Sequence, residues 1–217
     1  MTGKTFSIPI QSKEPLALLA IAVITLVISG IRPYDRLTWV MEVLPVLIAI
    51  PLLVATYRRF PLTPLVYRLI LLHALILMLG GHYTYARVPL GLWVQELFHF
   101  TRNHYDRLGH FAQGFIPAII AREILLRTSP LKPGKWLFFI VVCVSLAISA
   151  SYEFVEWWSA LIYGAAATDF LGTQGDAWDT QWDMFLAATG AVTAQLTLAR
   201  THDRALKRLL SEPEIDI

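Results

Sequence analysis

The sequence predicts an all-α protein built as a polytopic bundle of membrane-spanning helices. Hydrophobic residues make up 56% of the chain and charged residues only 16%, whereas about a quarter of the residues of a soluble domain are charged. Mean hydropathy is +0.55. The apolar residues are also gathered into long runs, and a run of roughly 20 residues is enough to cross the hydrocarbon core of a bilayer as a helix.

Runs of this kind, separated by short polar segments, predict six transmembrane helices within one domain that covers residues 1–217. The predicted spans lie at about 15–31, 39–57, 65–85, 107–126, 136–158 and 179–200. Pro45 and Pro51 fall within the second span, where neighbouring helices can satisfy the carbonyl groups that a proline leaves free. Residues 1–14 lack the apolar core of a signal peptide, so we expect an uncleaved tail.

Two further helices are predicted outside the spans. Residues near 90–104 are more polar than the spans but keep several large apolar side chains, which indicates an interfacial helix lying in the plane of the membrane surface. The basic residues from Arg200 to Arg208 predict a short C-terminal surface helix. The single Cys143 lies inside a span, so no intramolecular disulfide can form.

The distribution of lysine and arginine predicts the orientation of the chain in the membrane. Cytoplasmic segments of membrane proteins carry an excess of both residue types. Basic residues gather in the two tails and in the segments 58–68 and 122–135, whereas the loop 160–178 has none. We therefore expect both termini to be cytoplasmic and the loop 160–178 to lie outside. The net charge of +2 is too small to indicate a nucleic-acid partner, and the expected surroundings are the lipid bilayer.

Carboxylates and a histidine fall at one level of the predicted bundle, the outer one. Glu153 and Glu156 are three residues apart near the end of span five and share a helical face, as do Asp179 and Asp183 at the start of span six. Ionisable side chains within spans are costly and usually face a cavity or a partner. The topology thus predicts an acidic pocket that contains His110 and opens to the outer face.

One imidazole among several carboxylates suits a divalent metal such as zinc, manganese or iron. Carboxylates gathered at low dielectric also repel one another unless a cation offsets their charge. The expected ligands are His110, Glu153, Asp179 and Asp183. Without a metal, Glu153 or Asp179 could act as a general base with His110 as its partner, which makes these three the candidate catalytic residues.

Further polar and aromatic residues at the same level are expected to bind a substrate. They are Glu42, His82, Tyr83, Tyr85, Asp106, Arg107, Glu156, Gln174 and Asp176. Arg107 is also expected to form an ion pair with Glu153, because each side chain would otherwise be partly desolvated near the outer interface.

Several motifs resemble the YjdF-like family of bacterial inner-membrane proteins, whose function is not established. The motifs are His82-Tyr-Thr-Tyr85, Arg102-Asn-His-Tyr-Asp-Arg-Leu-Gly-His110, Arg122-Glu123, Glu153-Phe-Val-Glu-Trp157 and Gly172-Thr-Gln-Gly-Asp-Ala-Trp-Asp179. They cover most of the chain from span two onward. The resemblance implies a location in the bacterial inner membrane.

A more distant resemblance is to the VanZ-like membrane proteins of glycopeptide resistance. Its motifs are Asp106-Arg-Leu-Gly-His-Phe111 and Asp179-Thr-Gln-Trp-Asp183 ahead of Gly190. The VanZ-like pattern has a glutamine where this chain has Glu156, and its asparagine after the aspartate is missing here. This resemblance implies a setting in the cell envelope and supplies no reaction.

Three functions are compatible with these features. The leading interpretation is a protein that recognises or modifies an envelope lipid or lipid-linked headgroup, with a divalent metal among the carboxylates. The alternatives are a cation- or proton-coupled transporter, in which the same carboxylates bind the ion, and a non-catalytic membrane assembly factor. A pocket at one face argues against the transporter, because carriers commonly bind their substrates near the bilayer midplane. Whether the protein is an enzyme stays open.

Overall fold

The computed structural model describes residues 13–211, and within this part of the chain every regular element is a helix. The predicted all-α fold class is therefore confirmed. The long helices are α1 (Glu14–Ser29), α2 (Arg36–Thr56), α3 (Pro64–Tyr83), α5 (Tyr105–Thr128), α6 (Lys135–Tyr163) and α8 (Asp179–Ser211). Two shorter helices, α4 (Pro89–Phe98) and α7 (Thr168–Leu171), lie in the connections.

Within residues 13–211, three segments are long and apolar enough to cross a membrane: α2, α3 and Lys135–Leu171, which contains α6. The remaining three predicted spans stay predictions. Helix α1 is apolar but has only 16 residues, and α5 and α8 carry charged side chains near both of their ends. The N-terminal tail, residues 1–14, lies almost entirely outside the described residues, and so do residues 212–217.

Helices α5 and α8 approach each other closely at two glycines. A Cβ atom on Gly114 would lie 1.8 Å from the backbone oxygen of Ala187, and one on Gly190 would lie 2.2 Å from the backbone oxygen of Phe111. Small residues allow helix backbones to approach in this way inside a membrane. The two most charged helices therefore pack against each other in parallel, which brings their polar starts together at one end of the bundle and their polar ends together at the other.

The apolar middle of the bundle separates these two ends. Its buried residues come from the segment before α3 and from α3, α5, α6 and α8: Leu62, Val66, Ala118, Ile119, Leu137, Val141, Ala191 and Ala194. We call the end that contains the starts of α2, α5 and α8 the acidic end. The opposite end, with the last turns of α5 and α8, is the basic end.

The predicted C-terminal surface helix is wrong, because α8 continues without a break to Ser211 and buries His202 completely at the basic end. His202 Nε2 lies 3.0 Å from Glu123, whose carboxylate also accepts hydrogen bonds from the backbone and hydroxyl groups of Thr63 and from Arg127. Arg122 donates to His202 Nδ1 at 2.6 Å. A guanidinium only donates, so Nε2 carries the imidazole proton. This network holds the last turns of α8 against α5.

The helix expected near 90–104 is shorter than predicted. Helix α4 ends at Phe98, and His99 follows in the left-handed conformation with φ 54°. Residues 100–104 are not helical. Trp93 and Phe98 are 60% and 61% exposed, so α4 presents an apolar surface beside the acidic end. Its place in the membrane interface stays a prediction.

Candidate functional site

The start of α5 is fixed by Asn103, which is fully buried. Its side-chain oxygen accepts from the backbone N–H of Tyr105, and its amide donates to the carbonyl groups of Ala86 and Val88 before α4. The side chain of Gln174 bonds both the backbone N–H and the backbone carbonyl of Asn103, each at 2.9 Å. Gln174, which the sequence suggested as a substrate ligand, therefore ties the loop before α8 to α5.

Arg102 is the main cation of the acidic end, with its side chain only 7% exposed. Its guanidinium lies 2.6 Å from Asp179, 3.4 Å from Asp176 and 3.5 Å from Asp106. It also donates to the backbone carbonyl of Gly172 at 3.3 Å. The sequence reasoning did not select Arg102 as a site residue, although its position four residues before Asp106 was a usable indication.

The predicted ion pair between Arg107 and Glu153 is wrong. Arg107 pairs with Asp176 at 2.6 Å and lies over the ring of Trp182, 5.1 Å from its centroid. The loop before α8 folds back over the start of α5 and brings Asp176 within reach, whereas Glu153 faces the interior from α6. Arg107 and Asp176, both expected to bind substrate, are thus joined to each other.

His110 lies at the centre of a buried group of carboxylates. Its Nε2 atom is 3.5 Å from Asp106 and 3.8 Å from Asp183. Two sets of side chains have ligand atoms within 4.8 Å of one another, and His110 belongs to both: one set with Asp106 and Asp183, the other with Glu153 and Glu156. These five residues are called the His110 cluster below.

The structure brings together three of the four residues expected to bind a metal, namely His110, Glu153 and Asp183. Asp179 belongs to neither set because its carboxylate is held by Arg102. Asp106 and Glu156, which the sequence suggested as substrate ligands, belong to these two sets instead. Asp106 and Glu156 thus take the place expected for Asp179. This difference follows from the rotation of α5 and α6 about their axes, which a sequence pattern does not define.

Four atoms of the His110 cluster are buried without a hydrogen-bond partner among the described residues. They are Nδ1 of His110, Oδ1 of Asp183, Oε1 of Glu153 and Oδ2 of Asp106, the last of which lies 3.5 Å from the guanidinium of Arg102. His110 is 4% exposed and Asp183 is 2% exposed. Buried polar atoms in proteins nearly always have a partner, so these atoms are available to a ligand that enters the cluster.

Little positive charge is available to offset these carboxylates. Arg102 and Arg107 are occupied by Asp176 and Asp179, and Arg102 also reaches Asp106. His104, which precedes α5, is partly buried, and this burial together with the neighbouring charges of Arg107 and Arg102 lowers the pKa of its imidazole. His104 is therefore neutral near pH 7 and contributes no cation.

Glu42 on α2 forms a second buried carboxylate site beside the cluster. It is 2% exposed and accepts a hydrogen bond from the hydroxyl of Tyr152 at 3.2 Å, and the Tyr85 side chain adjoins the same carboxylate. The rings of Tyr152 and His110 are 6.5 Å apart. Tyr152 therefore links Glu42 to the cluster, and only its place beside Glu153 in the sequence could have indicated this.

Two predicted substrate residues lie away from the His110 cluster. The Nδ1 atom of His82 bonds the backbone carbonyl of Ser29 at 2.9 Å, which closes the end of α3 onto α1. Tyr83 is 37% exposed at the surface, next to the His82 ring. We assign both residues to the packing of α1 and α3.

Comparison with known proteins identifies the family. A family model described as "Predicted membrane protein (DUF2238)" matches residues 14–204. The chain belongs to the DUF2238 family of membrane proteins. This DUF2238 chain is 59% identical over 183 residues to inner membrane protein YjdF of Escherichia coli (strain K12), a match that covers 84% of this chain and 88% of the relative.

These matches confirm the resemblance to YjdF-like proteins, and by this similarity the DUF2238 chain is an inner-membrane protein. The whole His110 cluster lies within the matched residues. No solved structure matches the chain. The more distant resemblance to VanZ-like proteins is not shown by these matches and stays a prediction.

Proposed function

We propose that the His110 cluster binds one divalent metal ion and presents it to an envelope lipid or lipid-linked headgroup at the outer face of the membrane. The observation that carries this proposal is the buried imidazole of His110, shared between two sets of carboxylates and accompanied by unpartnered atoms of Asp183 and Glu153. An imidazole nitrogen with carboxylate oxygens is a ligand set for zinc, manganese or iron.

The balance of charge supports a bound cation. Arg102 and Arg107 are paired with Asp176 and Asp179, and Asp106 lies within ion-pair distance of both Arg102 and His110. Four further acidic residues then remain around the single imidazole of His110. These four are Glu42, Glu153, Glu156 and Asp183. At low dielectric such a group must take up protons or a cation. A divalent ion satisfies the unpartnered ligand atoms as well as the charge.

The position of the cluster supports a headgroup as the substrate. Trp157, Trp158 and Trp178 surround the acidic end and are 57%, 53% and 66% exposed. Tryptophan is enriched where a membrane protein meets the lipid headgroups. A metal with an open coordination position at that depth would polarise a phosphate oxygen of a lipid. The assignment to the outer face rests on the excess of basic residues at the other end.

A cation- or proton-coupled carrier is the second candidate. The observation that favours it is a pair of buried serine hydroxyls, Ser145 and Ser149, which extend the polar surface from the cluster toward the middle of the bundle. A carrier would hold its ion transiently and would not retain a divalent metal through purification. Metal retention therefore separates the two candidates.

The headgroup proposal predicts a melting temperature that responds to metal and lipid together. Mn²⁺ should raise the melting temperature of the protein in uncharged detergent, because a ligand that binds only the folded state stabilises it. Short-chain phosphatidylglycerol should raise it further when Mn²⁺ is present and leave it unchanged in chelator. Both shifts should be lost in His110→Ala and kept in Glu96→Gln, which removes an exposed carboxylate on α4.

Each part of the proposal has its own contrary result. A lipid shift of the same size in chelator would mean that the lipid binds elsewhere, which removes the headgroup function and leaves the metal site. If neither Mn²⁺, zinc nor iron(II) shifts the melting temperature of the wild-type protein, both the metal site and the headgroup function are removed.

A further inference from the structure

The buried face of α6 changes from apolar to polar halfway along the helix. This face consists of residues spaced four apart, which lie one above the other on a helix. They are Leu137, Val141, Ser145, Ser149 and Glu153, with exposures of 2%, 0%, 0%, 0% and 9%. The first two belong to the apolar middle of the bundle, whereas the last reaches the His110 cluster.

The two serines on this face differ from Ser151 on the same helix and from Thr189 on α8. Ser151 donates to the carbonyl of Ala147 at 2.7 Å, and Thr189 donates to the carbonyl of Phe185 at 2.8 Å. Such bonds to the carbonyl four residues back are the usual arrangement of a hydroxyl within a helix. The hydroxyls of Ser145 and Ser149 have no partner among the described residues.

We propose that the face of α6 from Glu153 to Ser145 lines a narrow, water-filled path that admits small monovalent cations from the His110 cluster to the middle of the bundle. Ser145, Ser149 and Glu153 each present a buried oxygen atom that lacks a partner. Successive residues of the face are one turn apart, so the path is about 12 Å long, and water molecules of ordinary size bridge such intervals.

The path ends in the bundle and does not cross it. Val141 and Leu137 continue the same face toward the basic end and are packed with Ile119 in the apolar middle. The carboxylates at the open end concentrate cations at its mouth, because a cleft lined by one sign of charge attracts the opposite ion. The path does not depend on a metal being bound at His110.

Silver ions and introduced cysteines test the path. In a Cys143→Ala background, Ser145→Cys and Ser149→Cys place thiols on the proposed path. Val141→Cys places one on the same face within the apolar middle, and Ser151→Cys places one on the exposed side of α6. The protein is held in lipid nanodiscs and treated with Ag⁺. Thiols that remain free are then alkylated with N-ethylmaleimide after denaturation and counted by mass spectrometry.

We expect Ag⁺ to block the thiols at 145 and 149 at least about tenfold faster than those at 141 and 151, since a thiol reacts as its thiolate, which forms only where water reaches it. Adding Ser149→Leu to Ser145→Cys should slow the reaction at 145 to the rate at 141. Equal rates at all four positions would overturn the proposal, and so would fast reaction at 149 alone.

The fold of each variant is checked by its melting temperature and its size-exclusion profile. If Ser145→Cys does not fold, the thiol at 149, compared with those at 141 and 151, decides whether water enters the face of α6. A metal-free protein with reactive thiols at both 145 and 149 would remove the metal site and keep the path. A protein that retains a metal but has unreactive thiols at 145 and 149 would keep the metal site and remove the path.

Discussion

Gly114→Ala is expected to destabilise the bundle by about 1 to 3 kcal/mol, the usual range for inserting atoms into a packed interior. The new Cβ atom would lie 1.8 Å from the backbone oxygen of Ala187 and 2.6 Å from its Cα atom. Backbone atoms cannot turn aside as a flexible side chain can, so α5 and α8 must separate. The separation also moves His110 away from Asp183, because His110 lies on α5 and Asp183 lies on α8.

Gly109→Ala is the matched control, because it makes the same substitution in the same helix. There the new Cβ atom would meet the ring of Tyr85 at 3.6 Å, which is ordinary van der Waals contact. Alanine also favours a helix over glycine by about 0.8 to 1.0 kcal/mol. The melting temperature in detergent should therefore fall for Gly114→Ala and hold or rise for Gly109→Ala. A fall of the same size in both variants would contradict the close packing of α5 against α8.

Arg102→Ala is expected to cost about 3 to 5 kcal/mol of stability, the range for removing one partner of a buried ion pair. The side chains of Arg102 and Asp179 are each 7% exposed and their charged atoms are 2.6 Å apart. Without the guanidinium, the carboxylate of Asp179 and the carbonyl of Gly172 lose their partner together. The loop before α8 should then detach from the start of α5.

Arg107→Ala provides the comparison, since its pair with Asp176 is 22% and 23% exposed. A partly exposed pair is worth about 1 kcal/mol or less, so denaturation in detergent should show a much smaller loss than for Arg102→Ala. Asp179→Asn added to Arg102→Ala should recover part of the larger loss, because it removes the charge left unpaired. Strictly additive losses in that double variant would show that the two residues do not interact.

The positions of the long helices follow from the sequence because apolar runs of sufficient length leave few alternatives in a membrane. Helix α3 was expected at about 65–85 and is observed at Pro64–Tyr83. The end of α8 was missed for a physical reason. The basic residues after Arg200 resemble an exposed helix, and the sequence does not reveal that Glu123 on another helix faces His202 and buries it.

The candidate site, too, could be predicted only in part. The proximity of His110, Glu153 and Asp183 could be predicted from topology alone, because each residue lies near the acidic end of the bundle. Which side chains contact one another could not be predicted in this way. Whether Asp179 faces a metal or Arg102 depends on the rotation of α8 by a fraction of a turn and on the path of the loop before it, which Gln174 fixes through two hydrogen bonds to Asn103. These are long-range contacts with no local pattern.

The metal content of the purified protein is the most direct measurement of the metal site. The wild-type protein is purified without chelator, dialysed against Mn²⁺, Zn²⁺ or Fe²⁺, and then dialysed against metal-free buffer. Mass spectrometry then measures the number of metal ions per chain. A single site predicts about one tightly held divalent ion per chain, lost in both His110→Ala and Asp183→Asn and kept in Glu96→Gln. Wild-type protein that holds no metal after this loading, or variants at His110 and Asp183 that hold as much as wild type, would contradict the metal site.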